Sequence, residues 1–200
     1  SFYDKYYTKE SVLQIVLAGV TGKLGVNGSI TNADIKKAKQ NADLVIFFPH
    51  VGGQFNINPG DFTKYTFEQA IKAGCDAIIA SHPHIVQKAE IRGKVPCYYS
   101  IGNFSMSPNS VYLLNEHLPD YGLAVHLYID NKKIQKTTFS ILKIVEEKRK
   151  MLTVWPIDKY YALCNEKEQR KIEENIKQIY QTVTGEIIVE NLIRHEYMLL

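Results

Sequence analysis

Asp43-Leu44-Val45-Ile46-Phe47-Phe48 (DLVIFF), followed at once by Pro49-His50-Val51-Gly52-Gly53-Gln54, decides how this chain is read. Five consecutive apolar residues without alternation are the pattern of a strand covered on both faces in a parallel sheet. Similar runs lie on either side. Upstream, Ser11 to Ala18 (SVLQIVLA) is β-branched and ends at Gly19. Downstream, Asp76 to Ala80 (DAIIA) leads into Ser81-His82-Pro83-His84, and Val95 to Ser100 (VPCYYS) leads into Ile101-Gly102-Asn103-Phe104. Helices are expected between them. Asn32 is expected to cap a short one from Ala33 to about Gln40. Thr63 to Ala73 carries Phe67, Ala70 and Ile71 at helical spacing, with Asp61 as the expected cap and Gly74 as the stop. Strands alternating with helices imply right-handed crossovers and a mainly parallel sheet.

The pattern changes after residue 110. Leu123, Val125, Leu127 and Ile129 alternate with more polar positions, Asp130-Asn131-Lys132-Lys133 supplies turn chemistry, and Ile134 to Val145 answers as a second long strand. Asn165 with Glu168 marks a helix start, and Ile172, Ile176 and Ile179 give that helix one apolar face to about Tyr180. Ser105 to Asp120 is the longest loop. The reading is one α/β domain over residues 1–200: a βαβ part at 1–110, then antiparallel strands and a C-terminal helix at 111–200.

Composition narrows the function. Twenty-four Lys and Arg face 21 Asp and Glu, a net +3 that is too small to argue for nucleic acid, which demands a clustered basic face. Leu44 to Phe48 is the longest strongly apolar run, far short of a membrane span. Cys75, Cys97 and Cys164 are odd in number and widely spaced, which excludes a disulfide framework and a cysteine-based zinc site. The chain opens with Ser1 rather than Met, as expected of a processed or cut protein.

Ligands of open α/β sheets bind beyond the carboxyl ends of the strands. Three of the six histidines, His50, His82 and His84, fall just past two successive strands, so they are expected to converge on one rim. Imidazole is a favoured ligand of zinc, iron and similar ions, and a His-x-His pair in extended backbone puts both rings on one side. A structural role for the histidines is the alternative reading. Glu90 either returns to the rim as a ligand or imidazole partner, or is a plain surface charge. Gln54 either bonds substrate oxygens or holds its loop. His126 sits mid-strand opposite the apolar face, as a surface or intersheet residue; His117 and His195 receive no role.

Pro49-His50-Val51-Gly52-Gly53-Gln54-Phe55, Ala73-Gly74-Cys75-Asp76, Ser81-His82-Pro83-His84 and Tyr99-Ser100-Ile101-Gly102-Asn103-Phe104, in this order, resemble the bacterial CapA family of poly-γ-glutamate capsule synthesis proteins, within the calcineurin-like metallophosphoesterase superfamily. The resemblance is dense over about residues 40–108. It implies a partial metallophosphoesterase-like αββα sandwich and two divalent ions (Mn, Zn or Fe) about 4 Å apart, whose bridging hydroxide attacks phosphorus. His50, His82 and His84 become metal ligands and catalytic groups, while Asn103 orders the loop or contacts substrate; Glu90, on its position after His84, is expected as a further metal ligand. Val51, Gln54 and Ala80 depart from the family pattern, which bears on substrate contacts. The Gly-Asp, Asn-Leu-Glu and Asn-Asn-His blocks that open the family's domain do not precede His50. The chain is therefore expected to be a C-terminal portion whose partner is the missing N-terminal half, and to bind metal weakly and lack turnover alone. The parent is expected to be membrane-anchored and extracytoplasmic, acting either as a phosphoesterase or as a non-catalytic component that binds an anionic capsule polymer or other capsule-synthesis proteins.

Overall fold

A computed structural model of the chain describes residues 15–18, 29–110, 117–148 and 151–199. The first half is β1 (Ile15–Ala18), α1 (Ser29–Lys39), β2 (Leu44–Phe47), α2 (Asp61–Ala73), β3 (Ala77–Ile79), β4 (Ala89–Arg92) and β5 (Val95–Tyr98). The sheet order is β1-β2-β3-β5-β4. β1, β2, β3 and β5 are parallel, and β4 is an antiparallel edge. All four residues of β2 are buried, which is why its apolar run does not alternate. On one face of the sheet, Val45, Phe47, Ile78 and Cys97 pack with Ile35 of α1 and Phe67 and Ala70 of α2. The ring of Tyr99 stacks flat on Phe67, with centroids 4.4 Å apart.

Two caps differ from expectation. α1 begins three residues before Asn32, whose side chain instead donates to Gln69 Oε1 of α2 at 3.3 Å and so ties the two helices together. Gly60, in extended backbone, is the N-cap of α2, and Asp61 is its first helical residue. The Asp61 carboxylate is fully exposed and lies 3.5 Å from Lys64. Its charge there favours the helix dipole without capping a backbone N–H. The β4–β5 hairpin was not expected. Arg92 pairs with Val95 across a two-residue turn at Gly93 and Lys94, so β4 runs back, opposite to its parallel neighbours.

The second half is β6 (Tyr121–Asp130), β7 (Lys133–Glu146), β8 (Leu152–Pro156), α3 (Ile157–Tyr161), α4 (Glu166–Thr184) and β9 (Tyr197–Met198). β6 and β7 form the expected hairpin, with Asn131 and Lys132 both at positive φ in the turn. β8 and β9, which were not expected, both pair with β7. Asn165 and Glu168 complete the expected capping box of α4: the Asn165 side chain accepts from the backbone N–H groups of Lys167 and Glu168, and Glu168 accepts from that of Asn165. The helix runs to Thr184, beyond the expected Tyr180. His126, paired with Thr138 in the hairpin, lies 2.8 Å through Nε2 from the Ser140 hydroxyl. The expected loop Ser105 to Asp120 falls partly outside the described residues, at 111–116. The result is a mixed α/β fold, a largely parallel sheet followed by an antiparallel one.

The two sheets share a core. Tyr98, facing away from Phe67, packs with Leu123, Phe139 and Ile141 and with Ile172, Ile176, Ile179 and Val183 of α4. Its buried hydroxyl lies 2.9 Å from Thr137 Oγ1 and donates to Thr138 O at 3.3 Å. Closer to the rim the backbones themselves meet, Gly102 bridging Gly122 and Leu123 N donating to Ile101 O at 2.8 Å. A Cβ at Gly122 would lie 2.1 Å from Asn103 O, and one at Gly102 (φ +72) would lie 2.6 Å from Tyr121 O. Backbone cannot yield as a side chain can, so these two positions need glycine. A Gly122→Ala variant is expected to lose about 3 kcal/mol of stability in chemical denaturation. Gly60→Ala, where a Cβ meets nothing within 4 Å, is expected to lose less than about 1 kcal/mol.

Candidate functional site

Parallel pairing continues past the ends of the strands and carries their register onto the rim. His50 bridges Ser81, with Val51 N donating to Ser81 O at 2.8 Å and Ser81 N to Pro49 O at 3.1 Å. Ile101 N donates to Ala80 O at 3.0 Å. His50, the Ser81–His84 segment and the Ile101–Asn103 segment are thereby fixed relative to one another by main-chain bonds. They line one open cleft of about 580 Å³, together with Phe48, Phe104 and the hydroxyl-bearing residues Ser105, Ser107 and Ser110.

The backbone between the two histidines is strained. His82 has φ +133 and His84 φ +61, neither of which suits a side chain with a Cβ. Such residues cost of order 1–2 kcal/mol each and persist only where their surroundings hold them. Here Phe55 N donates to Pro83 O at 2.8 Å, and the Asn103 side-chain amide donates to His84 O at 3.0 Å.

The rings meet in an order. His82 Nδ1 lies 2.8 Å from His50 Nε2, with the ring planes near perpendicular at 72° and centroids 4.6 Å apart. His50 Nδ1 lies 3.3 Å from Ser81 Oγ. His84 Nδ1 lies 2.9 Å from Asn103 Oδ1, and its ring centroid is 6.0 Å from that of His82. Burial first, then the neighbouring imidazoles of His50 and His84, hold the His82 pKa below its ordinary value and favour the neutral ring.

Four of the six residues expected at the site, His50, His82, His84 and Asn103, line the cleft. Gln54 is exposed and does not line it. Glu90 does not line it either. β4 runs back from the turn, and its carboxylate accepts from Tyr99 OH at 2.7 Å and Lys88 Nζ at 3.0 Å. Burial raises the Glu90 pKa, but the Tyr99 hydrogen bond and the Lys88 and Arg92 charges outweigh that and hold it low. Phe48 and Phe104, 39% and 66% exposed, were not expected at the site. Phe48 reads as the sixth residue of a buried strand, yet β2 ends at Phe47 and the next ring turns out to the rim. Ser81 was in view as part of the histidine block and gains a role as the neighbour of His50 Nδ1.

Two of the three imidazoles suit a divalent cation. His82 and His84 each have Nδ1 engaged by a neighbour, the usual arrangement of a histidine that ligates through Nε2. His50 is different, because its Nε2 is directed at His82. It can hold His82 in place, but turning Nε2 to the same ion means breaking that contact. Among the described residues no group of three or more His, Cys, Asp or Glu is arranged to hold a metal ion. In stability measurements His84→Gly is expected to exceed His84→Ala by about 1 kcal/mol, since both lose the ring but only alanine retains the cost of the left-handed backbone.

The geometry can now be set beside known proteins. A model of the family described as bacterial capsule synthesis protein PGA_cap matches residues 8–107. The capsule biosynthesis protein CapA of Bacillus anthracis is 30% identical over 113 residues, 52% of this chain and 28% of that protein. The PGA biosynthesis protein CapA of Bacillus subtilis (strain 168) is 33% identical over 70 residues, 35% of this chain and 18% of that protein. An uncharacterized protein, y4sH, of Sinorhizobium fredii is 32% identical over 103 residues, 45% of this chain and 22% of that protein. The match thus spans less than a third of each relative's length. It takes in both histidine segments and the strand end that carries Asn103, and on that match the chain belongs to the PGA_cap family of bacterial capsule synthesis proteins.

Proposed function

We propose that this chain is part of a capsule-biosynthesis protein and that its rim cleft is the histidine-bearing half of a metal-dependent hydrolytic site. One observation carries the reading. Three imidazoles from two strand ends line a single open cleft at the carboxyl rim of the parallel strands, where α/β folds place their ligands. The relatives' names supply the biological setting, and the superfamily resemblance supplies the chemistry, metal-assisted attack of water on a phosphate ester.

Within this proposal His82 and His84 hold the cation through Nε2, and His50 holds His82. A bound divalent ion supplies Lewis acidity and an activated water. The chain's own groups contribute orientation: the strained His82–His84 segment presents the two rings, Asn103 and His50 fix their rotations, and Phe48 and Phe104 wall the cleft. Two ions with five or six ligands each need more donors than this set contains. The remaining donors belong to the longer protein, which in this reading is anchored in the membrane and works on its outer side. Among the described residues no helix is long and apolar enough to cross a membrane, so the anchor is assigned elsewhere in the longer protein.

A non-catalytic role in binding an anionic capsule polymer is the second reading. The direction of His50 Nε2 toward His82 favours it, because it leaves fewer open ligands. The cleft's lining opposes it, since among the described residues it contains neither Lys nor Arg. The readings separate in the longer parent protein, by metal analysis and by hydrolysis of p-nitrophenyl phosphate. His82→Ala and His84→Ala are expected to lose bound metal, turnover and capsule production together. Loss of capsule with no hydrolysis by the unmutated protein supports the binding role instead, and no change in any of the three removes both. The isolated 200-residue chain is expected to bind Mn(II) or Zn(II) weakly and to show no turnover; tight stoichiometric metal with turnover would overturn the shared site.

A further inference from the structure

The structure assigns Asn103 as a positioning residue that sets the tautomer of His84, with the ring proton on Nδ1 and a bare electron pair on Nε2. The argument begins at the amide. Asn103 is buried, and its Nδ2 lies 3.0 Å from His84 O and 2.8 Å from Pro119 O. Both partners are carbonyl oxygens, which only accept, so the atom facing them is the nitrogen. A flipped amide would set oxygen against two oxygens and leave both carbonyls without a donor. Oδ1 is therefore the atom that faces His84 Nδ1 at 2.9 Å.

An amide oxygen accepts and cannot donate. The 2.9 Å contact is a hydrogen bond only if His84 Nδ1 carries the proton, so in the neutral ring Nε2 has none. His84 Nε2 meets no hydrogen-bond partner among the described residues, and it is not among their buried, unsatisfied atoms. Nε2 is therefore not sealed in by the described residues, and His84 lines the cleft. Asn103 holds this arrangement from three sides: its side chain bonds the ring and the main chain of the same histidine, and its own N–H donates to Tyr121 O at 3.4 Å. Use of that electron pair on a metal ion rests on the function proposed above; the tautomer follows from the contacts alone.

Long-range proton–nitrogen spectra of the full 200-residue chain labelled with 15N-histidine, at pH about 8, test the assignment, with His84→Gln identifying the signals. The expected result is a protonated-type shift for His84 Nδ1, an unprotonated-type shift for Nε2, and a nuclear Overhauser contact between the Nδ1 proton and the Asn103 side-chain amide. A protonated Nε2 in the unmutated chain would overturn the proposal whatever the variants do. Asn103→Ala, which removes the acceptor, is expected to shift the proton toward Nε2. Retention of the Nδ1 proton in a folded Asn103→Ala would show that another group sets the tautomer. Added Zn(II) separates the two claims. Movement of the Nε2 signal with Zn(II) in large excess, enough to fill a weak site, supports the metal reading, whereas the expected tautomer with no response at that excess leaves this inference standing and counts against that one.

Discussion

Main-chain pairing that runs beyond the last residues of β2, β3 and β5 is the constraint on which the rest depends. The bonds from Val51 and Ser81, and from Ile101 to Ala80, tie three successive strand ends into one rigid edge. Side chains mounted on such an edge inherit its precision, and no flexible loop has to find them. The positive-φ histidines are tolerable for the same reason. Their conformation is fixed by bonds on both sides, so the energetic cost falls on a framework with enough buried apolar surface to bear it.

The described lining of the cleft carries little charge of its own. Among the described residues that line it there is no Lys, Arg, Asp or Glu. Among these residues a positive charge could come from a bound cation or from protonated imidazole. Burial and two neighbouring rings work against the second source at His82. The exposed rings of Phe48 and Phe104 add apolar walls to the cleft.

The elements with a complete local signal were legible in the sequence. β2 was read from its unbroken apolar run, α4 from Asn165 and Glu168, and the β6–β7 turn from Asp130-Asn131-Lys132-Lys133. Convergence of His50, His82 and His84 followed from topology alone. What was missed depended on direction or on distant partners. Glu90 follows His84 by only six residues, but sequence distance does not reveal that the chain reverses at Gly93 and Lys94, although Arg92-Gly93-Lys94 carried the signal of a tight hairpin. Asn32 has the chemistry of a cap, yet tertiary contact with Gln69 claims its side chain. Which nitrogen of each imidazole is committed, and to whom, is a matter of angstroms between residues 19 and 32 positions apart. No periodicity encodes it.

Asn103 and Pro119 are joined by the same amide that orients His84, and the main chain at 103 is bonded to Tyr121. The two ends of the stretch between them are thus stapled together at one point. Segments closed in this way can change length cheaply, each doubling adding only about 0.6 kcal/mol of closure entropy. Phe104, Ser105 and Ser107, at its outgoing end, form part of the wall around the imidazoles. A change of length between these ends can therefore leave the histidine geometry as it is, because the bonds that orient His84 sit at the staple itself.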